Sequence, residues 1–140
     1  MKILSLLSPL EIEQIDGIPS KAICGKFESE NTDPMYFIEN NEFTDLMHTL
    51  IERNGSNLTS LIDAAEKQKD GYLYIIDLRT PEGVMGNVPT EDIIGAFKVE
   101  NGKMIGNSYW RNKSHKIFTK NGLVNLPPEL FLLITDELKK

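Results

Sequence analysis

Few residues in this chain carry groups able to do chemistry, and their spacing limits what each can do. Among 140 residues there are two histidines, His48 and His115, and one cysteine, Cys24. Structural and catalytic metal sites draw three or four such ligands together, so this inventory predicts no metal site. Cys24 stands in the strand-like run "KAICGKF". It reads as a buried structural thiol rather than a nucleophile, which would need a histidine base beside it. His48 falls between Asp45 and Glu52, at i−3 and i+4 of a helical pattern. Those carboxylates would favour the charged imidazole, so His48 reads as a surface histidine. Asp77 closes an apolar run and is followed by Arg79, Thr80 and Glu82. A carboxylate at a strand end is a frequent catalytic position, but an Asp there also caps the following turn, which is the preferred reading. Neither a G-x-x-x-x-G-K-[ST] nor a G-x-G-x-x-G loop is present. The expectation is of no catalytic set, no cofactor and no metal.

Charge is distributed more tellingly. The net charge is −6. From Phe27 to Glu52 run Glu28, Glu30, Asp33, Glu39, Glu42, Asp45 and Glu52, with no Lys or Arg among them. From Lys98 to Lys120 the bases Lys98, Lys103, Arg111, Lys113, Lys116 and Lys120 face one acid, Glu100. An acidic stretch repels nucleic acid and attracts a basic protein surface; it is also what an unpartnered, solvated face looks like. Glu39, Glu42, Asp45 and Glu52 are the candidate protein-binding residues. Trp110 joins them; it lies with Arg111 at the end of a hairpin, and both residue types are favoured interface anchors. A partly buried tryptophan closing a sheet is the other reading of that residue.

These groups must be positioned by the elements around them. Lys2 to Leu7 reads as a strand. Ser8-Pro9-Leu10-Glu11 then forms a capping box for a short helix ended by Asp16-Gly17. Lys21 to Glu28 is a second strand. Phe43, Leu46, Met47, Leu50 and Ile51 recur at helical spacing, with Asn40 or Asn41 as cap and Gly55 as a left-handed terminus. Leu58, Leu61, Ile62 and Ala65 repeat the pattern, capped by Ser56 or Asn57. Tyr72 to Leu78 is β-branched and aromatic, which predicts a central strand. In "VPTEDIIGAFKVENGKM", Thr90 is expected to cap one helical turn ended by Gly95. Asn101-Gly102 then turns a hairpin from Ala96–Glu100 into Lys103 to about Trp110. A second hairpin is expected around Asn121-Gly122, and Pro127-Pro128 opens a last helix. The order predicts one α+β domain over 1–140, with helices on one face of a mostly antiparallel sheet. A lone cysteine and an N-terminal apolar run too short for a signal peptide or a membrane span predict a soluble, cytoplasmic protein.

Two resemblances follow. "YLYIID" with "GNVPTEDIIGAFKV", within Tyr72 to Val99, resembles the back half of ADP-ribosyltransferase toxins of the cholera-toxin type. The resemblance implies a catalytic glutamate near Glu82 and NAD near Asp77 and Arg79. The family's first-strand arginine and Ser-Thr-Ser element have no counterpart here. In size, acidity, absence of a catalytic set and α+β pattern, the whole chain is similar to bacterial immunity proteins of contact-dependent growth inhibition and other polymorphic toxin systems. That similarity implies a non-enzymatic protein that blocks the active site of a basic toxin domain, such as a nuclease; the alternative readings are a divergent or inactive ADP-ribosyltransferase-like domain and a non-enzymatic adaptor for another protein partner.

Overall fold

The computed structural model describes residues 1–80 and 88–140. The chain opens with β1 (Lys2–Ser5), α1 (Pro9–Gln14), β2 (Ile23–Phe27) and β3 (Ile38–Glu39). The capping box forms as spelled: Ser8 Oγ accepts from Glu11 N at 3.1 Å and Glu11 Oε1 from Ser8 N at 3.0 Å. Asp16 and Gly17 end α1 with positive φ. β1, β2 and β3 pair antiparallel in that order. The long helix α2 (Asn41–Asn54) follows, capped by Asn40, whose side chain accepts from Glu42 N. Next come α3 (Thr59–Gln68), β4 (Gly71–Ile76), β5 (Ile93–Glu100), β6 (Lys103–Met104) and β7 (Trp110–Arg111). The hairpin β8 (Phe118–Thr119) and β9 (Gly122–Leu123) and the closing helix α4 (Pro128–Leu138) complete the fold.

The fold is α+β; among the described residues all pairing is antiparallel and is divided over three sheets instead of one: β1-β2-β3, a sheet centred on β5, and β8-β9. One buried cluster joins them. It takes Phe43, Met47 and Ile51 from α2, Ile75 from β4, Ile94 and Phe97 from β5, and Leu130, Ile134 and Leu138 from α4. The rings of Phe27, Phe37 and Phe118 meet edge-on and stacked, with centroids 5.2 to 5.3 Å apart, and tie the first sheet to the last hairpin. No described helix is long and apolar enough to cross a membrane.

Several local expectations are overturned, each for a packing reason. β4 is not central: among the described residues it pairs with β5 alone, while β5 takes β4 on one side and β6 and β7 on the other. Gly55 does not end α2 in a left-handed conformation, since its φ is −55°. It is glycine because the Phe97 ring lies where a Cβ would stand, 2.5 Å away. Neither Ser56 nor Asn57 caps α3. Leu58 occupies that position without a side-chain bond, and the carboxylate of Glu129, on α4, accepts from Thr59 N at 3.1 Å and Ser60 N at 2.7 Å. Thr90 caps nothing: Thr90–Asp92 is a 3-10 turn, and the strand starts at Ile93. Gly95 does not stop a helix. It sits inside β5, opposite Ile75 and Arg111.

Candidate functional site

Asp77 and Arg79 belong to a buried clasp rather than an open site. Asp77 Oδ1 accepts from Arg79 N at 3.2 Å, the turn cap that its sequence position suggests, and from Asn125 N at 2.9 Å. Its Oδ2 meets His115 Nε2 at 3.1 Å. Arg79 Nε donates to Asp92 Oδ1 at 2.8 Å and lies 3.4 Å from Asp77 Oδ2. Its two Nη groups donate to the carbonyls of Glu91, Lys116, Ile117 and Gly122. The Asp77 side chain has 0% exposure. Glu82, the residue singled out by the transferase resemblance, lies outside the described residues. Cys24 is fully buried in β2, and burial pushes its thiol up to about 12. That is an inert thiol, since the thiolate is the reactive form.

The acidic candidates gather beside α2. Two recesses of about 410 and 300 Å³ share His48 and Arg111 as walls. Asp45 and Glu52 line the first with Tyr109, and Glu39 lines the second with Lys113 and His115. Glu42 stays outside both, accepting from Ser20 Oγ at 2.6 Å. Glu39 is pinned as well as acidic: it accepts from Thr44 Oγ1 at 3.2 Å and, weakly, from Ile117 N at 3.5 Å. The run that holds no base in sequence holds one in space. Arg111, on β7, donates to Asp45 Oδ1 at 2.8 Å, and both side chains keep solvent contact. The acidic and basic stretches of the sequence therefore meet at the edge of the β5 sheet.

His48 is not a surface histidine; it is 5% exposed. The Tyr109 ring covers it, and its Nδ1 lies 2.7 Å from the Tyr109 hydroxyl. Burial is the first cause of its lowered pKa, about 3, followed by the nearby charges of Arg111 and His115, which outweigh Asp45. The spacing to Asp45 and Glu52 on the helix thus gave the wrong sign, because desolvation outweighs the pull of the solvated Asp45 carboxylate. Burial likewise raises the Tyr109 hydroxyl. The pair is neutral at pH 7, a bonded lid over α2.

This geometry predicts a pH dependence. With a folded pKa of about 3 against 6.5, the unfolded chain takes up a proton below pH 6.5 and the folded chain does not. The stabilisation is complete above 6.5 and declines as the pH falls toward 3, at up to about 1.4 kcal/mol per unit. Denaturant melts of the protein and its His48→Gln variant at pH 7, 6 and 5 should diverge accordingly, with a flatter slope in the variant. Parallel slopes would contradict the assignment.

Trp110 faces the other way. Alternation along β7 sends Arg111 toward α2 and leaves Trp110 on the outer face of the sheet, 49% exposed. The structure therefore sets Asp45 and Glu52 on one recess and Glu39 on its neighbour, leaves Glu42 outside both, and sets Trp110 across the strand from them. Among the described residues no group of three or more His, Cys, Asp or Glu is arranged to hold a metal ion. Sequence reasoning missed Tyr109 and the position of Arg111 in this cleft. The basic run from 98 to 120 was the one available signal.

Compared with known protein families, with curated proteins and with solved structures, the chain finds no match.

Proposed function

We propose that this protein is an immunity-type inhibitor, acting in the cytoplasm, that binds a basic toxin domain and covers its active site with the acidic cleft of α2. The observation that carries this reading is the Arg111–Asp45 pair at 2.8 Å: the cleft already seats an arginine, one supplied by the chain itself. Exposed pairs of this kind are worth only about 0 to 1 kcal/mol, so a partner's cation can share or replace that contact at little cost. Glu52, along the same recess, adds a second carboxylate. Charge of this sort acts mainly on the encounter rate and on the choice of partner.

The test is a low-salt isolation of the basic protein that associates with the chain, followed by co-expression of the two. Growth arrest by the partner alone, relieved by this protein, is the expected result. Replacing Glu42, Asp45 and Glu52 together by Gln should slow association about tenfold or more at low salt, with the difference fading as salt screens the charges. A partner that is harmless alone, or an unchanged association rate, would overturn the reading.

A further inference from the structure

The outer face of the β5 sheet carries a second, chemically different recess. The register sets Tyr74, Ala96 and Trp110 side by side across β4, β5 and β7, and Tyr72 lies two residues along β4 on the same face. Ala96 is 1% exposed, whereas Tyr72, Tyr74 and Trp110 are each about half exposed, at 54%, 49% and 49%. The rings therefore rise on either side of a small-residue floor and enclose a groove of about 530 Å³. Two polar residues of its lining, Ser108 and Asn112, are already engaged. Ser108 Oγ donates to Ile105 O and accepts from Lys98 N, while Asn112 Nδ2 donates to the carbonyls of Thr90 and Ile93. No charged residue is among the described residues that line it. Lys98, opposite Tyr72 in the register, is held by Glu100 at 3.3 Å.

What the groove offers a ligand is chiefly three half-exposed aromatic rings, whose π faces are the surfaces a ligand would use. Such faces carry negative charge density and attract cations, arginine more often than lysine. The planar, weakly hydrated guanidinium also stacks on them. A nucleobase would stack equally well, but its phosphates would meet a protein of net charge −6. We propose that this groove seats an arginine side chain of the basic partner, on the opposite side of β7 from the acidic cleft. The inference rests on the reading of a basic protein partner and adds a second point of attachment to it.

Trp110 is the single tryptophan, so its emission reports on the groove alone. The probes are the tripeptide acetyl-Gly-Arg-Gly-amide and its citrulline counterpart, equal in shape and lacking the charge. The arginine peptide should shift Trp110 emission with saturation and bind about fivefold tighter than the citrulline peptide. A Tyr72→Leu/Tyr74→Leu variant should lose that preference, its fold checked by circular dichroism. A Glu39→Gln/Asp45→Asn/Glu52→Gln variant should retain it. The indole N–H shift of Trp110 in the unsubstituted protein gives the same comparison without relying on any variant. Equal binding of the two peptides, tighter binding of an oligoproline, or an unmoved Trp110 signal would overturn the proposal. So would a preference that follows the three acids instead of the two tyrosines. Because the probe is a single cation read at Trp110, the groove can fail while the inhibitor reading stands, and the reverse.

Discussion

Replacing Arg79 by Met should destabilise the protein by about 3 to 5 kcal/mol, the usual cost of removing one partner from a buried ion pair. The side chain is 2% exposed and touches Asp77 and Asp92, themselves at 0% and 1%. Its loss takes the one cation from Asp92 and a charged neighbour from Asp77, which keeps His115 and two backbone N–H groups, and it removes a donor from four backbone carbonyls, of which those of Glu91 and Ile117 keep a backbone partner. Domains of this kind have only about 5 to 15 kcal/mol in total, so the melting temperature should fall by roughly ten degrees or more. Arg79→Lys should recover little, because one ammonium cannot reproduce a fork that bonds in several directions. A calorimetric scan decides it. A fall of under 1 kcal/mol would mean that the clasp contributes far less than its geometry suggests.

Gly95→Ala is the second large effect expected, at about 1 to 3 kcal/mol, typical of overpacking. A Cβ there would lie 2.5 Å from the Tyr109 hydroxyl and 2.6 Å from the Trp110 carbonyl. The carbonyl is backbone, held by the pairing of Gly95 with Arg111 and Ala96 with Trp110, so it cannot swing aside. Relief must come from Tyr109, which covers His48. The variant should therefore lose stability and also shift the His48 ring resonances. Gly106→Ala, with nothing within 4 Å of the added carbon, is the matched control and should change stability by under about 0.5 kcal/mol. Equal melts for the two variants would contradict the argument.

The elements that were legible in the sequence are those fixed by local rules. The Ser8–Glu11 box, the α2 stripe, the Asn101-Gly102 hairpin and the Pro-initiated last helix all follow from neighbours within four or five residues. What was not legible depended on distant partners. The expected helix cap came from Glu129, about seventy residues away, so Ser56 and Asn57 were locally sensible and unused. Glycine gives one letter for two needs: Gly55 and Gly95 looked like helix stops, and both serve close approach of an aromatic ring. Of the candidate site, the acidic side was visible as a run of charge. Its basic member and its buried histidine were not, because Arg111 and Tyr109 reach α2 only through the folded sheet.

The Glu129 carboxylate at the start of α3 has a bearing on how the chain is made. During synthesis α3 leaves the ribosome long before Glu129 does, and until then its first amide groups have only water. The helix can nucleate early, but its N-terminal turn is secured only when α4 docks. The contact spans 69 to 70 positions, a long loop to close. The later helix α4 thus acts as a latch on one finished much earlier, and a nascent chain halted before Glu129 would hold α3 frayed at that end.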